Sequence, residues 1–283
     1  MPPKSSLLLS PPNLASCMAA AILRDTRGAA LNARDRQNYF PASPLPAVTC
    51  VLSGTLHMAQ GICDLETLRG TQPMPAVSVT PPQDAPIVSW SPGPVVAVTI
   101  GFFPDAWVSL GGAPESAALP DCLKDALPLL KDADTVESQW HAFCQKLAPF
   151  WTTARRTGTR MTGKLADWSG SHRVTDWTRH VLTRIALAAP GRSARTLERH
   201  IRRWTGQSRQ SLDFYARIED LHRLSVQAPG APLAEMALDA DFSDQSHMGR
   251  DLKRATGFSP ARLNRLIETE EAFWCYRLMG ERF

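Results

Sequence analysis

Leu233-Ala-Glu-Met-Ala-Leu-Asp-Ala-Asp-Phe-Ser-Asp-Gln-Ser-His-Met-Gly-Arg-Asp-Leu-Lys-Arg-Ala-Thr-Gly-Phe-Ser-Pro260 has the periodicity of two short helices joined by a turn. Leu233, Met236, Ala237 and Ala240 share one face of the first helix, and small Ala237 lets a second helix cross closely. Phe242 is expected to close the corner, and Ser243 or Asp244 to cap the next helix with a side-chain oxygen. In that second helix Met248, Leu252 and Ala255 turn inward, while Gln245, Ser246, Gly249, Arg250, Lys253 and Arg254 turn out. Gly257 supplies a left-handed stop, and Ser259-Pro260 starts a further helix.

The same pattern occurs about 51 residues upstream. Ser193, Leu197, Arg199, Ile201, Arg202-Arg203, Thr205-Gly206, Ser208 and Leu212 lie over Asp244, Met248, Arg250, Leu252, Lys253-Arg254, Thr256-Gly257, Ser259 and Leu263. Leu182, Ile185, Ala186 and Ala189 pair with Leu233, Met236, Ala237 and Ala240. Ser193 caps the upstream copy's second helix, which turns Leu197, Ile201 and Trp204 inward and Arg195, Glu198, Arg199, Arg202 and Arg203 outward. One Arg-faced helix is an ordinary surface feature. Two with matching caps, cores, basic edges and stops are a double helix-turn-helix, a scaffold whose Arg can read guanine and whose Gln can read adenine in the major groove.

Charge points the same way. The net charge of +4 over 283 residues is mild, but Arg155 to Arg203 hold twelve basic residues, all arginine except Lys164. They face only Asp167, Asp176 and Glu198. Such a surface suits phosphates.

At these residues, about 178 to 267, the chain resembles the AraC family of bacterial transcription regulators. The resemblance implies double-stranded DNA as partner, with two recognition helices in successive major grooves, joined by a linker helix over about Ser211 to Ser225. By residue matching, the base readers are Arg195, Glu198 and Arg199 in the first unit and Gln245, Ser246, His247, Gly249 and Arg250 in the second. Lys253 and Arg254 fall to the phosphates, and Arg202 and Arg203 complete the DNA-contacting set. Two departures stand out: Asp241 replaces the usual Gly before Phe242, and the first turn, Pro190-Gly191, lacks an apolar anchor. Asp tolerates a left-handed backbone better than most residues, so the second turn is expected to survive.

Outward from this region the texture changes. Residues 1–16 are Pro- and Ser-rich and expected to be a disordered tail. From 17 to 115, short apolar runs such as Ala47–Leu52, Ala76–Val79 and Val95–Ile100 alternate with Pro, Gly, Asp and Ser clusters, the mark of strands and turns. From 116 to 164 Leu123, Leu127, Leu130, Val136, Trp140, Phe143 and Leu147 recur at helical spacing, a connector; 165–283 is helical, with a C-terminal extension. The expected class is α+β: a β-rich first half, a helical connector and an all-α last third.

Arg24-Asp-Thr-Arg-Gly28, Tyr39-Phe-Pro-Ala-Ser-Pro44 and Phe103-Pro-Asp-Ala-Trp107 resemble, more weakly, a sensor-type domain that precedes this unit in some AraC-type proteins. That resemblance implies a partial cupin-like barrel that binds a small-molecule effector or forms a homodimer, with RNA polymerase as a further partner of an activator. Glu270-Glu-Ala-Phe-Trp-Cys-Tyr-Arg277 recurs in the same subgroup; packing of Phe273, Trp274 and Tyr276 on the domain is its expected role.

Other classes find little support. A metal-dependent cupin enzyme needs clustered His and carboxylates, but the first half offers only His57 and His141, in differently patterned segments. No Gly-rich phosphate loop, GxSxG elbow or Cys-His signature occurs, so neither catalysis nor a cofactor is expected. The six cysteines have neither zinc-site nor disulfide spacing and read as reduced thiols of a cytoplasmic protein. Leu14-Ala15-Ser16-Cys17 imitates a lipoprotein box, but Pro11-Pro12 interrupts the apolar run it would need. Trp90, Trp107, Trp140 and Trp151 are candidates for an effector pocket or, more simply, for the core; Arg24, Asp25 and Arg27 for an acidic-effector site or a local ion cluster. The rival to a DNA-binding regulator is an effector-binding or protein-interaction module whose DNA binding has degenerated.

Overall fold

The computed structural model describes residues 1–132, 134–158, 171–188 and 193–282. The Pro190-Gly191 turn, Ala189 and the boundary expected near residue 165 lie outside the described residues.

The first half is β structure. Strands β1 (Lys4–Leu8), β2 (Met18–Asp25), β4 (Ala47–Ser53), β6 (Val77–Thr80) and β8 (Val96–Phe102) form an antiparallel sheet in the order β1-β2-β8-β4-β6. Strands β3 (Gln37–Phe40), β5 (His57–Gln60) and β7 (Ile87–Trp90) form a second sheet in the order β3-β7-β5. Register follows alternation: Val48 pairs with Ile100 and Cys50 with Val98, and all four are buried. The expected disorder of residues 1–16 is corrected by β1, whose residues pair with β2 from Lys4↔Asp25 to Leu8↔Ala21. Of the Pro and Ser residues, Ser5 and Ser6 lie within β1, and Ser10, Pro11 and Pro12 in the turn that follows it, which the buried Leu8 and Leu14 anchor. Cys17, one residue before β2, is wholly buried, and burial pushes its thiol up, which keeps it protonated and unreactive.

Short helix α1 (Leu65–Gly70) lies between β5 and β6, and α2 (Pro104–Ser109) follows β8, each started by an identifiable signal. Asp64 caps α1 by accepting from Thr67 N at 2.8 Å, and Pro104 occupies the first turn of α2. Helices α3 (Asp121–Ala126) and α4 (Val136–Gly158) form the connector. Leu123, Phe143, Leu147 and Trp151 bury against the same core as Ile100, Phe102 and Trp107. Trp107, Trp140 and Trp151 are therefore core residues, and Trp90 packs with Val88 and Leu68 in a smaller cluster.

The remaining helices are α5 (Val174–Ala188), α6 (Ala194–Thr205), α7 (Arg209–Gln227), α8 (Leu233–Asp239), α9 (Gln245–Thr256), α10 (Pro260–Thr269) and α11 (Trp274–Gly280). They use two cores. Trp177, Val181, Ile185, Ile201 and Leu212 continue the core of the β region, whereas Met236, Ala237, Phe242, Met248, Leu252 and Leu263 form a separate one. No helix among the described residues is long and apolar enough to cross a membrane.

Candidate nucleic-acid interface

Helices α6 and α9 repeat each other in detail. Ser193 Oγ caps α6 by accepting from Thr196 N at 3.4 Å, and Asp244 Oδ1 caps α9 by accepting from His247 N at 2.7 Å. The latter bond holds the Asp244 carboxyl below the usual carboxylate range. At the other ends, Gly206 and Gly257 are left-handed, with φ of 71° and 84°. Buried Thr205 donates to Ile201 O at 2.8 Å and accepts from Gln207 N at 3.1 Å; buried Thr256 does the same with Leu252 O and Phe258 N at 2.8 and 3.2 Å. The Thr-Gly stop is thus a hydrogen-bonded device present twice. Ser208 then caps α7, and Pro260 opens α10 in the equivalent place.

The turn of the second unit folds as its sequence suggests. Asp241 adopts φ 64°, Phe242 N donates to Ala237 O at 2.9 Å, and the Phe242 ring is buried. The linker α7 is longer than expected at both ends, and at its start Ser208 is the cap. It holds both units. Glu219 accepts from Val174 N and Thr175 N at 2.9 and 2.8 Å, satisfying the start of α5. Arg217 reaches Asp251 of α9 at 3.2 Å and lies over the Phe242 ring at 5.3 Å.

The residues matched to base reading and phosphate contact lie on the outer faces of α6 and α9. Arg195, Arg199, Arg202 and Arg203 are exposed on α6, and Gln245, Ser246, Arg250, Lys253 and Arg254 on α9; Glu198, His247 and Gly249 are partly buried. No ion pair to Arg195, Arg199, Arg203, Arg250 or Lys253 occurs among the described residues. Arg202 is paired with Glu198 at 3.1 Å, and His247 lies 3.4 Å from Asp251. Arg254 is held by Asp84 at 3.3 Å and lies over Phe214 at 4.7 Å.

That last contact belongs to a feature the sequence did not disclose. The turns before β4 and after β6 are joined by paired backbone bonds between Ser43 and Gln83, both 2.9 Å. Gln207, just beyond α6, donates to Pro44 O at 2.9 Å, and Tyr215 of α7 donates to Gln83 O at 3.0 Å. Ala42 N donates to Ala255 O in the last turn of α9 at 2.7 Å. A single pair of turns therefore touches α9, the loop that follows α6 and the linker α7. Pro41, Pro44, Pro81 and Pro82 signal these turns, but no local pattern says what they touch.

The three weaker motifs of the first half all lie at this junction between regions. Asp105 of the Phe103–Trp107 motif accepts from Trp177 Nε1 at 2.8 Å, and Phe103 stacks on Trp177 at 5.6 Å between centroids. Burial pushes the Asp105 carboxyl up, against the donation from Trp177 and the nearby charge of Arg184. Tyr39 stacks on Phe273 at 4.7 Å, and Asn38 accepts from Trp274 Nε1 at 2.7 Å. Arg24 pairs with Glu271 at 2.6 Å and lies over Trp274 at 4.8 Å, while Arg27 bridges Asp25 and Asp134 at 2.7 and 2.8 Å. The C-terminal aromatic segment thus clamps the second unit to β1 and β3.

Residues 187–265 match the family described as "Helix-turn-helix domain". No curated protein sequence matches the chain. Among solved structures, the chain is similar to ToxT from Vibrio cholerae O395, at 9% identity and a TM-score of 0.37, covering 82% of this chain and 98% of that one. It is also similar to wild-type ToxT of V. cholerae strain SCE256 bound to an unsaturated fatty acid, at 10% identity and a TM-score of 0.36, covering 80% and 93%. The AraC-like transcriptional activator CuxR is similar at 10% identity and a TM-score of 0.29, covering 98% and 99%. With two helices that share caps and stops at a fixed offset inside the matched stretch, residues 187–265 of this chain are a helix-turn-helix domain.

Proposed function

We propose that the chain is a sequence-specific, cytoplasmic DNA-binding transcription regulator in which α6 and α9 enter successive major grooves. The observation that carries this reading is the pair of exposed arginines at equivalent positions, Arg199 and Arg250, on helices with the same caps and stops and without ion pairs among the described residues. An unpaired guanidinium on a rigid helix is pre-organised to bond guanine in a bidentate way. Arg195 and Glu198 in the first unit, and Gln245, Ser246, His247 and Gly249 in the second, make up the rest of the reading faces. Arg202, Arg203, Lys253 and Arg254 meet the phosphates. Residues 17–115 serve as the effector or dimerisation domain, 116–164 as connector and 165–283 as the DNA-binding unit, with RNA polymerase as partner if the protein activates.

A gel shift of the purified chain on its own promoter region, across a salt series, tests the proposal. Arg250→Ala is expected to lower affinity by about 1–3 kcal/mol and to relax preference at one base pair. Unaltered operator binding by that variant would remove α9 from the major groove.

A further inference from the structure

A cavity of about 290 Å³ lies between the large sheet and the linker helix. Its floor is Ala20 and Ile22 of β2, its opposite wall Ile218 and Leu221 of α7, and its end Met236 and Leu252 of the second unit. Its remaining side is the pair of turns around Ser43 and Gln83 that bonds the last turn of α9 and the loop just after α6. The charged groups on its wall, Glu219 and Arg282, pair with each other, and the buried Tyr276 hydroxyl beside them has no hydrogen-bond partner among the described residues. Glu219 serves two backbone N–H groups and Arg282. Arg282 donates to His172 O at 3.1 Å as well. Burial and the Arg282 charge push His222 down to about 4, so the ring is neutral at pH 7. Ser225 Oγ donates to His222 O at 2.7 Å. The cavity therefore offers a guest a large apolar wall and no charge in need of a partner, and a carboxylate placed there would lose its hydration without gaining an unpaired cation.

We propose that this cavity binds a neutral, predominantly apolar small molecule, and that the turns around Ser43 and Gln83 transmit its presence to both recognition helices. Size sets the class further. An apolar cavity of about 150 Å³ takes a benzene ring, so this one takes roughly a dozen non-hydrogen atoms. The site differs from the expectation of an effector held inside the first-half barrel: the first half and the helix-turn-helix units build it jointly. Because Ala42 N bonds Ala255 O and Gln207 bonds Pro44 O, a guest that moves the turns must strain or release the last turn of α9 and the end of α6. Only the consequence at DNA rests on the regulator reading; binding and transmission within the chain do not.

Calorimetry of the full chain with decan-1-ol and with decanoate, followed by hydrogen exchange at the Ala42 amide, tests both halves. Decan-1-ol is expected to bind at least tenfold tighter than decanoate and to change Ala42 exchange severalfold at saturation. Ala20→Phe, which fills the floor, and Ser225→Leu, which fills the opposite side, should each weaken binding at least tenfold. Two filling variants from different elements guard against one that fails to fold. Absence of decan-1-ol binding, decanoate binding as tightly or tighter, undiminished binding in whichever variants fold, or an unchanged Ala42 amide would each overturn the proposal. A chain that passes these tests but never shifts promoter DNA would count against the regulator reading alone.

Discussion

The two helix-turn-helix units carry the same local devices in different surroundings. In the second, Ala237 is fully buried against α9 and Phe242 closes the turn, so the unit has a core of its own. In the first, the equivalent Ala186 is exposed, neighbouring Leu187 is 59% exposed, and stability comes from outside. Trp177 stacks on Phe103, bonds Asp105 and joins the core of the β region. The first unit is thus built into the first half, whereas the second has its main core apart and is held by specific contacts: the C-terminal aromatic clamp, the Arg217–Asp251 pair and the turns around Ser43. A duplicated sequence can therefore give one unit that shares the core of the first half and one that keeps a core of its own.

The largest effects should separate the two cores. Trp177→Ala and Phe242→Ala should each cost about 3–5 kcal/mol, the usual range for an aromatic removed from a packed core. Their signatures should differ. Trp177→Ala should lower the denaturation midpoint of the β region and the first unit together, while Phe242→Ala should open α8 and α9 at lower denaturant than the rest. Hydrogen exchange in β8 and in α9 under increasing denaturant distinguishes the outcomes. Full protection of β8 in Trp177→Ala would show that the cores are independent.

Acid should act on the joint between the units. His222 sits on the linker near Tyr276 and Arg282, and its folded value of about 4 lies below the ordinary 6.5. Between these values the unfolded chain binds a proton that the folded chain refuses, so stability should fall as pH drops from about 6.5 to 4. The loss for this one group reaches about 3 kcal/mol at the acid end, to order of magnitude. His222→Leu should flatten that slope relative to the wild type in urea titrations at pH 7, 5.5 and 4.5. An equal slope in both would assign the pH dependence to other groups.

Much of this was legible from local signals because local physics made it. Ser193, Asp244, Gly206 and Gly257 act within one turn of their own position, and Met248, Leu252 and Ala255 are buried because helical period puts them on one face. Strand β1 was missed because Ser5 and Ser6 give no apolar alternation, and its pairing with β2 comes from elsewhere in the chain. The motifs Arg24–Gly28, Tyr39–Pro44 and Phe103–Trp107 were visible as motifs, but their role as the joint between regions was not. Arg24 finds Glu271, Asn38 finds Trp274 and Asp105 finds Trp177 across long stretches of chain, and no periodicity encodes such partners.

Capping gives a smaller and sharper comparison. Ser193→Ala should destabilise the start of α6 by about 1 kcal/mol. Asp244→Ala should have the larger effect, because its bond is shorter and charge-assisted. Its contribution should fade as pH falls through the depressed Asp244 value, whereas the Ser193 cap has no proton to gain. Helix-specific hydrogen exchange at pH 7 and pH 3 would separate them. A larger loss from Ser193→Ala would reverse the assigned order.

The smallest effect is a test of symmetry at the phosphates. Arg202 and Arg203 correspond to Lys253 and Arg254, but the intramolecular pairing is crossed: Arg202 is taken by Glu198, and Arg254 by Asp84. Each partner already neutralises its cation, so DNA must break that pair before it gains the contact. On the regulator reading, Arg203→Ala and Lys253→Ala should each lower the salt slope of binding by about one counterion. Arg202→Ala and Arg254→Ala should lower it by less. Asp84→Asn frees Arg254 and should steepen the slope, whereas in an Arg254→Ala background the same change should do little. If all four cations contributed equally, the pairs with Glu198 and Asp84 would dissolve without cost when DNA arrives, and the first half would have no electrostatic hold on the second unit.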